Sequence, residues 1–147
     1  MTRPTLITQN SFPPSPAPWT DLPFIAEVKT APRKKEFRYW DVPATDSYGH
    51  ANDVGRQYAA DLAQYLKQNP SYVGSGMLSC IIGDMAKIDN DSDSAMKGYA
   101  VGFWAFVEQL LHTAANSTNH YALAETIAQR HAAWVAAYEA ERKGSGE

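Results

Sequence analysis

The sequence predicts a mainly α protein: a small four-helix bundle preceded by an extended, Pro-rich N-terminal arm and a β-hairpin. Three observations predict it. Eight of the nine prolines fall within the first 43 residues and no glycine appears before Gly49, so the first third of the chain is built differently from the rest. Two short segments then alternate in hydropathy with period two. From Asp46 onward apolar residues recur at spacings of three and four, the period of a helix with one buried face.

Residues 1–23 are rich in Pro, Ser and Thr yet contain Phe12, Trp19 and Leu22, which reads as an extended arm able to pin itself by occasional aromatic contacts. Residues 24–142 are expected to form one globular domain. Within it, "FIAEVK" (24–29) and "EFRYWDV" (36–42) are rich in β-formers, and the intervening "TAPRKKE" suits the loop of a hairpin spanning 24–42. Its tip is expected to display Arg33, Lys34 and Lys35.

The helical part spans 50–142. The first helix, about 50–68, places Ala51, Val54, Tyr58, Leu62, Tyr65 and Leu66 on one face, and "NPSYVGSG" ends it. A second, about 75–88, has Leu78, Ile81, Ile82, Met85 and Ile88 as its inward set. The third, about 93–113, is apolar on most of its circumference. The fourth, about 119–142, carries Tyr121, Ala124, Ile127, His131, Trp134, Val135 and Tyr138 along one stripe. Short connections between helices favour a bundle. The terminal "KGSGE" (143–147) reads as a flexible tail.

Gly98 and Gly102 lie with Ala95 and Ala105 along the third helix, and the first offers Ala51, Gly55, Ala59 and Ala63. A glycine inside a helix costs up to about 1 kcal/mol relative to alanine, so two in one helix need a compensating reason. Close packing of these two stripes supplies it.

Composition excludes several classes. With 44% apolar and 20% charged residues the chain is an ordinary globular one, and no segment approaches the ~18 consecutive apolar residues of a membrane span. The N-terminus lacks the apolar run of a signal peptide, so a cytoplasmic location is expected. Cys80 is the single cysteine, which leaves no intrachain disulfide and no multi-cysteine zinc site. Next to Ile81 and Ile82 it reads as a buried, inert thiol.

"DNDSD" at 89–93 invites comparison with a calcium loop. Counting from Asp89 places Asp91 and Asp93 correctly, but Ser94 stands where the turn glycine belongs and Ala100 where the bidentate glutamate belongs. The run therefore reads as a helix start, with Ser92, Asp93 or Ser94 as the cap and acidic charge at the positive end. Among His50, His112, His120 and His131 no Glu-x-x-His pair occurs, so no metal site is expected. His131 reads as a hydrogen-bonded core or groove histidine. "GSG" at 74–76 lacks the lysine and hydroxyl of a phosphate loop, and no serine or cysteine is accompanied by a recognisable base. Neither catalysis nor a cofactor is expected.

Charge is the most informative remaining feature. Residues 29–38 carry five basic side chains and one glutamate, +4 in ten residues; since the whole chain has a formal net charge of -3, the remainder sums to -7. A basic spot on an acidic body does not make the broad basic face that duplex binding needs. The expected function is that of a non-catalytic regulator or inhibitor that occludes or bridges a partner protein, of the kind carried by mobile elements. The alternative is a nucleic-acid-binding accessory protein that uses the hairpin tip, where basic and aromatic side chains combine. Arg33, Lys34, Lys35, Arg38 and Trp40 are the candidate partner-binding residues in either case.

If residues 89–94 only start a helix, millimolar calcium leaves the melting temperature unchanged, because a ligand that binds only the native state must raise it. Thermal melts with calcium and with chelator check this, and a saturable upward shift would sink the capping assignment.

Overall fold

A computed structural model describes residues 18–88 and 94–144. The chain is mainly α, with four helices following a two-stranded antiparallel hairpin, the class the hydropathy pattern predicts. The elements are β1 (Ala26–Ala31), β2 (Lys34–Arg38), α1 (Tyr48–Gln68), α2 (Met77–Lys87), α3 (Lys97–Ser117) and α4 (His120–Gly144), with short 3₁₀ turns at Trp19–Asp21 and Pro70–Tyr72. Two compact units divide the chain between Phe106 and Val107, within α3.

Local chemistry sets the helix ends. Ser47 caps α1, its side-chain oxygen accepting the His50 N–H at 3.2 Å. Asn69 closes it from the other end: its backbone N–H and its side-chain amide both donate to the Tyr65 carbonyl, each at 2.9 Å, and the residue is buried. Pro70 then cannot continue the helix. Between α1 and α2 the chain turns through Gly74 and Gly76, both in the left-handed region, with φ of 80° and 90°. Ahead of α3, the Ser94 side chain accepts the Met96 N–H at 3.1 Å and its carbonyl accepts the Lys97 N–H at 3.0 Å, so Ser94, one of the expected set, satisfies backbone N–H groups in the turn that leads into the helix. Asp89, Asp91, Ser92 and Asp93 lie outside the described residues. Asn119 caps α4 through the Ala122 N–H at 3.1 Å, and α4 runs two residues into the stretch expected to be a tail.

The first unit is organised by α1 against α3. A Cβ built on Gly55 would fall on the Tyr99 carbonyl, and one on Gly102 would fall on the Asn52 carbonyl. One on Gly98 would lie 2.5 Å from the Tyr48 carbonyl oxygen and 2.8 Å from Ala51 Cβ. Backbone meets backbone here, which is the compensating reason that the glycine stripes require. The same approach buries Gly55, Ala59, Gly98, Tyr99, Gly102 and Phe103.

Above that contact sits an aromatic cluster of Phe24, Trp40, Tyr58, Tyr99 and Phe103. Ring centroids lie 5.3 Å apart for Phe24 and Tyr58, 5.3 Å for Trp40 and Phe103, and 6.2 Å for the stacked Tyr58 and Tyr99. Such ring pairs add about 0.5–1.5 kcal/mol each beyond the area they bury. The Tyr99 hydroxyl donates to the Pro43 carbonyl at 2.9 Å and so ties the segment after the hairpin to α3.

The hairpin differs from expectation in register. Its strands are 26–31 and 34–38 rather than 24–29 and 36–42, and only Pro32 and Arg33 form the turn. Phe24 and Trp40 leave the ladder because each buries an aromatic ring in the helical core, although Asp41 N–H still donates to the Phe24 carbonyl at 2.8 Å. Two further expectations fail on α2, which buries only the narrow stripe Met77, Ile81 and Met85. Leu78 and Ile82 face outward, and Cys80 is exposed rather than a buried thiol.

In the second unit, residues 107–144, α4 buries no residue at all. Tyr121, Ile127, Trp134 and Tyr138 of the expected stripe are exposed, and His131 is an exposed ring stacked near Trp134 instead of a core histidine.

Replacing Gly102 by alanine is expected to destabilise the protein by at least about 2 kcal/mol, because a backbone carbonyl cannot rotate away as a side chain can. Gly83, in mid-α2, has nothing within 4 Å of a built Cβ. Gly83→Ala is therefore expected to stabilise by roughly 0.5–1 kcal/mol through helix propensity. Denaturant midpoints of the two variants test the contrast, and equal effects would show that the glycines of α3 are not in backbone contact.

Candidate partner-binding surface

The hairpin ladder pairs Ala26 with Arg38, Glu27 with Phe37, Val28 with Glu36 and Lys29 with Lys35, with an irregularity between Lys29 and Ala31. Side chains alternate across it. Trp19 from the end of the arm covers Phe37 and Tyr39, its ring centroid 4.6 Å from the first and stacked 5.4 Å from the second. Trp19 thus makes an aromatic contact of the anticipated kind, while residues 1–17 of the expected arm lie outside the described residues.

Arg33, Lys34, Lys35 and Arg38 are all exposed, as the run of charge requires. Lys34 and Lys35 nevertheless belong to strand β2 rather than to a loop. Three of these cations have acidic neighbours: Lys34 pairs with Glu36 at 3.2 Å, Lys35 with Glu27 at 2.9 Å, and Arg38 with Asp41 at 3.9 Å. Exposed pairs of this kind contribute less than about 1 kcal/mol each, but they weaken the positive field that an anion would meet. Lys29 and Arg33 make no ion pair among the described residues. Trp40 does not belong with them. It is 6% exposed and packed among Phe24, Tyr58 and Phe103, because so large an apolar ring gains more in the core than at a surface.

The hairpin is held to α2 by one buried-side carboxylate. Asp84 accepts the Tyr39 backbone N–H at 2.7 Å and the Lys87 ammonium at 2.7 Å, with its side chain 19% exposed. Burial by itself pushes the Asp84 carboxyl up, but the hydrogen bonds from Lys87 and from the Tyr39 amide outweigh it and hold the group below the usual aspartate value of 3.8. The same bond raises Lys87. Asp84 is thus a positioning group: it fixes the end of β2 over α2. Beside it an open groove of about 340 Å³ is lined by Val28, Thr30, Glu36, Arg38 and Lys87.

Sequence reasoning missed the outer side of α2. Leu78 and Ile82 stand one turn apart, 42% and 43% exposed, and Val73 in the preceding loop is 66% exposed. A groove of about 350 Å³ between the end of α1 and the start of α2 is lined by Leu62, Leu66, Tyr72, Val73, Met77 and Leu78. Tyr72, Gly76 and Met77 also line a second groove of about 220 Å³ that reaches Trp19, Tyr39 and Cys80, so the two share a wall. Gly83 has nothing within 4 Å of a built Cβ but lies about 100° around the helix from Ile82, on the side of Ser79 and Lys87. No local signal in the sequence separates the half-exposed Leu78 and Ile82 from the buried Ile81.

Among the described residues no group of three or more His, Cys, Asp or Glu side chains could hold a metal ion, and no helix is long and apolar enough to cross a membrane. The chain has no significant match to any family model, to any curated protein or to any solved structure.

Asp84 carries a linkage prediction. Its carboxyl is lower in the folded chain than in the unfolded one, so the stability it contributes is complete above the usual aspartate range and is lost as pH falls through the folded value. At pH 7, Asp84→Asn is expected to cost about 1–2 kcal/mol. The difference between the native chain and the variant shrinks toward zero as pH is lowered below the usual aspartate value. Denaturant midpoints of both proteins across pH 2–7 check this, and a pH-independent difference would contradict the carboxylate assignment.

Proposed function

We propose that the chain is a non-catalytic protein-binding regulator or inhibitor, acting by covering or bridging a partner protein. The observation that carries this reading is the outward apolar face of α2. Leu78 and Ile82, with Val73 and the two neighbouring grooves, present apolar area where a monomeric surface ordinarily places polar residues. Grooves of this volume accept one or two apolar anchor side chains, the arrangement in which a few buried contacts dominate binding energy. The hairpin adds exposed positive charge at Lys29 and Arg33, which favours partners that carry acidic residues.

The nucleic-acid reading rests on Lys29 and Arg33, the two hairpin cations without an ion pair among the described residues. Two phosphate contacts supply only a shallow salt dependence, compared with the six to ten, roughly, of a strong non-specific binder.

The test needs the partner first, captured from a lysate of the source cell and identified by mass spectrometry. Against that partner, the double variant Leu78→Asp, Ile82→Asp is expected to bind at least about 30-fold more weakly; because each side chain is already about half buried, a lower melting temperature is expected too, and affinity is compared where both proteins are fully folded. Reversing Arg33, Lys34 and Lys35 to glutamate is expected to slow association and flatten its salt dependence, with little change in the melt. Normal affinity in both variants would remove α2 and the hairpin together from the binding surface. Affinity for labelled DNA or RNA that falls steeply with salt would favour the nucleic-acid reading.

A further inference from the structure

The second unit holds the largest unexplained apolar surface among the described residues. Along α4, Leu123, Ile127, Trp134 and Tyr138 are 48%, 55%, 62% and 50% exposed. At 100° per residue these four fall within a narrow arc, with His120, Ala124, His131 and Val135 beside them and Glu125, Gln129, Ala136 and Lys143 on the far side. His131, Trp134 and Tyr138 form a ladder of rings, with centroid separations of 6.1 Å and 5.6 Å. A helix of 25 residues with none of them buried has no tertiary packing to support that face.

We infer that this face is a homodimer interface, and that its occupant is α4 of a second copy of this chain, packed antiparallel. Three observations select a second copy. The first is spacing. His120, Ala124, Ile127, His131, Trp134 and Tyr138 recur at intervals of four, three, four, three and four, the seam of a two-helix coiled coil. The second is complementarity of size. Antiparallel pairing about a two-fold axis between Ile127 and His131 sets Trp134 of each copy against Ala124 of the other, Tyr138 against His120, and Ile127 against His131. Every bulky ring meets a smaller partner, whereas parallel pairing stacks Trp134 on Trp134 and leaves Ala124 facing Ala124. The third is area. At the exposures above, the four large side chains alone offer on the order of 450 Å² per copy, and the exposed His120, Ala124 and His131 beside them extend this toward the ~800 Å² per partner of a standard stable interface. Such an interface is isologous and closes on itself, so it yields dimers rather than filaments. Ala128 flanks the seam on one side and Arg130 on the other, so the helices approach most closely on the Ala128 side.

This inference goes beyond the proposed function, since it concerns a different surface. A dimer would display two α2 faces, which suits bridging.

Sedimentation equilibrium of the full chain tests it, with disulfide trapping as an independent readout. At about 100 μM the native chain is expected to have the mass of two copies, and Trp134→Glu to raise the dissociation constant at least about 30-fold with its helix content unchanged. In a Cys80→Ser background, Ala128→Cys is expected to form disulfide-linked dimers on mild oxidation, while Ala136→Cys on the far face does not. A monomer at every concentration, a dimer that Trp134→Glu leaves intact, or equal trapping at both cysteine positions would each overturn the inference. So would a chain that is monomeric yet loses a different protein partner when Trp134 is replaced.

Discussion

The closest constraint in the molecule is the contact of two backbones. α1 and α3 approach until the carbonyls of Tyr99 and Asn52 occupy the places where side chains of Gly55 and Gly102 would otherwise stand. Nothing flexible separates them, so the distance and crossing of the two helices have almost no latitude. That rigidity is what allows large rings to be fitted nearby. Tyr58 on α1, Tyr99 and Phe103 on α3, and Phe24 and Trp40 from the chain flanking the hairpin fill the space this pair leaves open. Glycine weakens each helix on its own, and the weakness is offset only because both helices give up side chains at matching heights.

A two-stranded hairpin is marginal by itself, so the position of β1 and β2 depends on this core. Phe24 and Trp40 anchor its two ends in the cluster, and the Tyr99 hydroxyl holds the Pro43 carbonyl just beyond. Asp84 adds the lateral fixture, joining the Tyr39 amide to α2. The consequence is that the exposed edge with Arg33 and the outward face with Leu78 and Ile82 are held on the same scaffold. Surfaces fixed in this way lose little entropy when a partner binds, and preorganisation of that kind is a main determinant of affinity at a given area.

How much of this could be read in the chain depends on whether a feature is local. The helices were legible because their periodicity and caps are local: Ser47, Ser94 and the Gly74 and Gly76 turn all stand where the pattern changes. The α1 to α3 contact was also legible, since two mid-helix glycines are costly enough to demand a neighbour. Trp40 was misassigned because β-alternation cannot distinguish a ring that faces the opposite strand from one that turns into a helical core. The exposure of Leu78, Ile82 and Cys80 was missed for a related reason. An apolar residue has the same periodicity whether its neighbour belongs to its own chain or to another, and α2 covers only one of its two apolar sides. The Asp84 bridge joins residues 45 apart in sequence, and nothing local announces it.

The two units spend their aromatic residues in opposite ways. In the first unit the rings face inward and specify one packing; on α4, Trp134 and Tyr138 stack on each other in solvent. An exposed ladder of that size is an aggregation hazard unless something covers it, and an alanine-rich helix with balanced charge does little to keep copies apart. Retaining it is consistent with a face that is occupied when the protein works. The apolar face of α2 makes a smaller demand of the same type, since Leu78 and Ile82 each bury about half of their surface already. Covering the more exposed face removes more apolar area from water, so α4 has more to gain from a contact than α2 has.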